Sequence, residues 1–280
     1  MQQPPPDSSS SSDSPSAEKW FIEPPSTFEG MASQASRSLL GALGANRRRL
    51  IVETAAPELD PSMNGKGYKP QELVAFAHDV AQPLLQRGGL PKSKPHTKLL
   101  FSSMAEATLA GGTILTTDLP VSMLGHPSAI GPRDGAFIVV APNAATADVD
   151  AERALSDLVQ QAGSRLVVLV NPRLGNAPLL STFEPCYLMR PLSVGFLRDQ
   201  MAQSVERVPV CLLRCYPHEW QVLFVPPTAD KAGRTRGAAA EWRYAGRFAR
   251  QPSAEEIERL LKEQMTRARD EGVPREGSGS

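Results

Sequence analysis

Apolar residues recur along the chain with two different periods. Phe28, Met31, Ala32, Ala35, Leu39 and Leu43 follow one another in steps of three or four, the spacing of a single stripe on a helix. Just before that stripe, Ser26-Thr27-Phe28-Glu29 has the capping-box spacing, with Ser26 placed to accept the third helical N–H and Glu29 placed to reach back. The pattern predicts a helix that opens there and closes at Gly44. Leu50-Ile51-Val52-Glu53 then reads as a short buried strand. Leu73, Phe76, Ala77, Val80 and Leu84 predict a second helix over 71–85, followed by a strand at Lys98-Leu99-Leu100-Phe101. A short helix over 104–110 and a short strand near Ile114 follow. A further helix over 148–162, with Ala151, Leu155, Leu158, Val159 and Ala162 inside, lies between apolar strands at 136–140 and 165–170.

Those last two strands are apolar at nearly every position, as strands covered on both faces must be. An α/β fold follows: a mostly parallel, Rossmann-like sheet flanked by helices. After Asn171 the pattern changes. The strands at 186–189, 210–216 and 221–225 come without helices long enough for parallel crossovers, so antiparallel pairing is expected in the C-terminal third. Pro217-His218-Glu219 supplies a hairpin turn between the last two. A Gly-, Ala-, Thr- and Arg-rich excursion over 226–240 precedes a strand at 242–248. Ser253 caps a final helix with Ile257, Leu260, Leu261, Met265 and Ala268 inside and the pairs Glu255–Arg259, Glu258–Lys262 and Glu263–Arg267 outside. Residues 1–19 are Pro, Ser and Asp with almost nothing to bury, so they and residues 273–280 read as disordered tails around one α/β domain at 20–272.

Composition narrows the partners. Thirty basic and thirty acidic residues leave no net charge, so no global field draws the chain to nucleic acid. No apolar run approaches the roughly 20 residues that span a bilayer, and the start of the chain lacks a signal-peptide pattern. A soluble intracellular protein is the expectation, with peripheral membrane association left open. Cys186, Cys211 and Cys215 are too few for a disulfide scaffold. Cys211 and Cys215 lie about 13 Å apart on one strand, so buried reduced thiols are expected.

The chemistry-bearing motifs are missing from the sequence. No segment has phosphate-loop spacing, and Gly65-Lys66-Gly67 sits too far after the Glu53 strand for a strand-to-helix phosphate turn. His78, His96, His126 and His218 have no ligand-like neighbours, and no nucleophile elbow occurs. No catalytic residue, metal site or cofactor is assigned. Arg47-Arg48-Arg49 reads as a solvated helix-to-strand turn. In an open α/β sheet a ligand sits beyond the carboxyl ends of the parallel strands, which nominates Glu53, Ser102, Asn143 and Asn171.

The C-terminal third carries more specific text: Leu169-Val170-Asn171-Pro172-Arg173, Ser181-Thr182-Phe183-Glu184-Pro185, Tyr187, Arg190-Pro191-Leu192, and Leu213-Arg214-Cys215-Tyr216-Pro217-His218-Glu219-Trp220-Gln221-Val222. Together these resemble a domain of unknown function from cyanobacteria, algae and plant plastids. That family includes the plastid Low Photosystem II Accumulation assembly factor and a domain appended to a plastid adenylate kinase. The resemblance extends over residues 24–261 and is pattern-level before the C-terminal third.

It implies a chloroplast protein, stromal or thylakoid-associated, without settled catalysis or cofactor. Such a protein would act through protein partners such as a thylakoid complex or its assembly factors. Two readings of the motifs stand side by side. One is a packed corner with Phe183 and Trp220 as core aromatics and Arg190 or Arg214 paired to Glu184. The other is a ligand or partner groove lined by Asn171, Arg173, Glu184, Arg190, Arg214 and Tyr216. A small-molecule enzyme or nucleotide-binding module at the carboxyl-end crevice is the alternative function.

Overall fold

The computed structural model describes residues 21–60, 67–86, 96–113, 119–143, 150–175, 177–199, 204–226 and 242–272. Both expected tails, the strand near Ile114 and nearly all of the 226–240 excursion lie outside the described residues.

The elements in chain order are α1 Phe28–Gly44, β1 Arg49–Thr54, a 3₁₀ turn Pro57–Leu59, α2 Pro70–Gln86, β2 His96–Phe101, α3 Met104–Thr113, β3 Val121–Met123, β4 Asp134–Val140 and α4 Ala151–Ala162. They continue with β5 Leu166–Val170, a second 3₁₀ turn Pro178–Thr182, β6 Glu184–Asp199, β7 Ser204–Cys215, β8 Trp220–Phe224, β9 Arg243–Phe248 and α5 Ala254–Gly272. The strands form one sheet in the order β3-β2-β4-β5-β1-β6-β7-β8-β9. Every pair from β3 to β6 is parallel and every pair from β6 to β9 antiparallel. This is the mixed α/β architecture expected from the strand patterns.

Strands β6, β7 and β8 pair antiparallel as expected, and the first of them also joins the parallel sheet. β6 lies parallel to β1, from Leu50↔Glu184 to Thr54↔Met189, and antiparallel to β7. The 171–183 connection lets β6 start beside β1 without a full helix, because its 3₁₀ turn and Phe183 cover the sheet where a crossover helix would. The β7–β8 hairpin forms as predicted, with Val210 opposite Phe224 and Leu213 opposite Gln221.

Alternate residues of the central strands enter different cores. Leu99, Ile138, Val168 and Val52 pack with α1, α2 and α3, while Leu100, Phe137, Val139, Leu169 and Ile51 pack with Leu155 and Leu158 of α4. Both faces are apolar because both are covered, which is why the strand sequences show no alternation. A third core joins Leu188, Val210, Leu212, Trp220 and Val222 to Ile257 and Leu261 of α5.

One cap differs from expectation. α1 starts at Phe28, so Thr27 is its N-cap and accepts from Gly30 N at 3.0 Å. Glu29 is therefore one residue too early in the helix to reach back, and the Ser26–Glu29 capping box does not form. The reciprocal pair occurs at α5 instead: Ser253 Oγ accepts from Glu256 N at 3.2 Å, and Glu256 Oε2 accepts from Ser253 N at 2.8 Å. Of the expected outer-face pairs on α5, Glu258–Lys262 closes at 2.6 Å.

Arg47 and Arg48 are solvated as expected, but Arg49 is not. Its guanidinium donates to the carbonyls of Arg165 and Gly163, binding β1 to the C-terminal end of α4, where a cation complements the helix dipole.

Candidate functional site

At the carboxyl ends of β4, β5 and β1 the chain folds back on itself. Asn171, the residue after β5, has φ of 48°, a left-handed conformation that asparagine tolerates better than most side chains. That turn aims its amide at two backbone groups: Oδ1 accepts from Thr54 N at 2.8 Å and Nδ2 donates to Leu59 O at 3.1 Å. Asn171 is fully buried, so its amide joins β5 to β1 and to the 3₁₀ turn that follows β1.

Two residues on, Arg173 is positioned by its backbone, whose N–H donates to Pro142 O at 2.8 Å and whose bridge partner is Asn143. Its guanidinium forks onto Asp60, with Nε 3.2 Å from Oδ1 and Nη2 3.1 Å from Oδ2. Nη1 lies 3.8 Å from Glu53 Oε1, which also accepts from Arg190 Nη2 at 2.6 Å. Asp60, Arg173, Glu53 and Arg190 thus form a continuous neutral row of alternating charge. The first three side chains are 17–20% exposed and Arg190 is 35% exposed, so the row opens to solvent at the Arg190 end.

Of the nine residues nominated from sequence, the structure brings together Glu53, Asn143, Asn171, Arg173 and Arg190. Asp60 joins them without having been foreseen; it follows a short Pro-Glu-Leu turn that has no periodic signal. Glu184 does not join. It is the first residue of β6, beside Leu50 near the start of β1, where Arg47 Nε lies 3.4 Å from its Oε2. Six residues of extended strand separate Glu184 from Arg190 by about 20 Å, so the expected ion pair between them cannot form. Arg214 does not reach Glu184 either. It donates to His218 O and stands 5.7 Å from the Tyr216 ring centroid, at the end of the β7–β8 hairpin. Neither arginine is buried, contrary to the packed-corner reading, although Phe183 and Trp220 are.

Ser102, at the end of β2, is buried, and among the described residues its hydroxyl has no hydrogen-bond partner. The three cysteines are buried and free, and burial pushes each thiol up to about 12. At neutral pH they are small apolar side chains and not nucleophiles.

Cavities also lie elsewhere among the described residues. One of about 370 Å³ is bordered by His218, Glu219, Gln221, Tyr244 and Arg247 at the hairpin end. A larger groove of about 460 Å³ runs between the 124–130 loop and α4. Sequence reading missed this groove, although one signal was present: Asp150, Arg153, Ala154, Asp157, Leu158 and Gln161 make a second helical stripe beside the buried one. Among the described residues, no group of three or more His, Cys, Asp or Glu side chains could hold a metal ion, and no helix is long and apolar enough to cross a membrane.

Among the described residues, the fold and its carboxyl-end crest define an α/β protein whose polar side chains at the ends of β5 and β1 pair with one another and with backbone. The chain belongs to the family of the domain of unknown function DUF1995, whose profile matches residues 25–259. No curated protein matches the sequence.

Proposed function

We propose that this is a non-catalytic plastid protein that works through protein–protein contacts in the biogenesis or maintenance of photosynthetic complexes. One observation carries the non-catalytic half of the reading. The polar residues at the carboxyl ends of β5 and β1, where an open α/β sheet would present its ligand-binding groups, are committed to one another and to backbone. The plastid half rests on the resemblance in the Asn171 and Arg214 segments.

The test is cellular. Tagged protein should be found in the chloroplast, and its deletion should lower thylakoid complexes resolved on native gels. A cytosolic location with normal complexes in the deletion strain would refute the reading.

A second reading, a small-molecule enzyme or nucleotide-binding module at the same crest, draws support from the buried Ser102 hydroxyl, which has no hydrogen-bond partner among the described residues. A thermal-shift screen against nucleotides and phosphosugars addresses it. Ligand at a hundred times its Kd adds about 2.7 kcal/mol of stability, so a flat screen counts against this reading.

A further inference from the structure

α4 has two stripes. Ala151, Leu155, Leu158 and Ala162 are buried. The flanking stripe of Asp150, Arg153, Ala154, Asp157 and Gln161 forms one wall of the 460 Å³ groove. From Asp150 to Gln161 that wall is about 16 Å long. The opposite wall, the 124–130 loop, is held before any partner arrives. Leu124 N donates to Phe101 O at 2.7 Å, Ala129 N to His126 O at 2.8 Å, and Lys98 Nζ to Ser128 O at 3.0 Å. Lys98 is itself fixed 2.7 Å from Asp134 in a largely buried pair. Binding in this groove therefore does not have to order its walls.

The rims and the floor differ in chemistry. Leu124, Ala129 and Leu158 are buried apolar residues lining the groove. On the rim, Asp157 and Arg153 are exposed, and among the described residues their side chains have no hydrogen-bond or ion-pair partner. Asp150 uses one oxygen to cap Arg153 N at 3.0 Å, and among the described residues the other has no partner. Two carboxylates face one guanidinium, and exposed Glu152 adds a further negative charge at the same helix end. Ser128 N donates to His126 Nδ1 at 3.1 Å, which helps hold the imidazole in the loop wall of the groove. An acidic rim repels phosphate groups, which disfavours nucleic acid and anionic lipid. An elongated groove of mixed lining suits a length of polypeptide better than a small molecule, which a pocket would enclose.

We infer that this groove is where the protein partner docks, through a basic, apolar segment that sets a lysine or arginine against Asp150 and Asp157 and an apolar side chain over Ala154 and Ala129. The inference rests on the protein-contact reading above and names the partner's chemistry.

The binding test uses the full chain and two labelled synthetic peptides, one alternating lysine with leucine and one with glutamate in place of lysine, followed by fluorescence anisotropy. The lysine peptide should bind, weaken with salt, and lose about tenfold in affinity, or about 1.4 kcal/mol, in Asp157→Lys. Arg153→Glu should tighten it, and Glu263→Lys on the exposed face of α5 should leave it unchanged. Asp157 and Arg153 are exposed, so both groove variants should melt with the parent. Equal binding of the two peptides, indifference to Asp157→Lys, or an equal loss in Glu263→Lys would overturn the inference.

A second arm separates this inference from the reading beneath it. A deletion strain with normal photosynthetic complexes would defeat the contact reading itself. A deletion defect fully restored by the Asp157→Lys protein would leave that reading standing and remove the groove from it. The expected result is a defect that the parent chain restores and Asp157→Lys does not.

Discussion

Glu53 and Arg190, 137 positions apart, meet through a 2.6 Å hydrogen bond from Nη2 to Oε1, at the place where β1 ends and β6 continues beyond it. Glu53 also lies within reach of Arg173, so it links two guanidinium groups. Because Arg190 is the more exposed partner, the pair is partly screened, and Glu53→Gln should cost about 1–2 kcal/mol. Urea unfolding at low and high salt checks this, with a smaller loss expected at high salt. In a double-mutant cycle, Glu53→Gln and Arg190→Gln should be clearly non-additive. Strict additivity would mean that the contact contributes nothing to stability.

Asn171 combines a left-handed backbone with two buried hydrogen bonds, and substitution can separate the two contributions. Asn171→Ala strands Thr54 N–H and Leu59 C=O and removes the polar side chain that makes positive φ tolerable, so a loss of at least about 3 kcal/mol is expected. Asn171→Gly keeps the backbone conformation and should recover about 1 kcal/mol of that. Equal melting of the two variants would show that the φ of 48° carries no strain.

The cysteine thiols make stability depend on alkaline pH. Each thiol is raised from 9.0 to about 12 by burial, so the folded chain holds protons that the unfolded chain releases. Their contribution is complete below about 9 and is lost progressively as pH rises from there towards 12. Tm should therefore be insensitive to these groups at neutral pH and fall above about 9. A thiol reagent should label none of the three cysteines in the native protein and all of them in denaturant. Rapid native labelling of Cys215 would contradict its burial.

The α1 cap distinguishes two adjacent hydroxyls. Thr27→Ala should lower stability by about 1 kcal/mol, whereas Ser26→Ala should be close to neutral. Chemical denaturation of the two variants reads the difference directly. The reverse order of effects would restore the capping box that the sequence suggests.

Period and polarity along the chain were enough to place the helices, most of the strands and the change from parallel to antiparallel pairing. Each depends on local information: the three- and four-residue spacing from Phe28 to Leu43, or the unbroken apolar runs at 136–140 and 166–170. What local pattern does not give is the side of β6 that faces β1, since Glu184 to Met189 reads the same whether its neighbour is parallel or antiparallel. Strand direction was settled by where the 171–183 connection could pack.

Much of the crest was also legible, because polar residues ending apolar strands must lie at the sheet's edge. The pairings within it were not. Glu184 is close to Arg190 in sequence, but an extended strand carries them to opposite ends of the sheet, while parallel pairing of β1 with β6 brings Glu53 alongside. Asp60 and the groove wall on α4 were likewise decided only by tertiary structure. Local sequence sets the direction in which a side chain leaves its element, whereas the partner that arrives from the other side depends on chain connections over a hundred residues long.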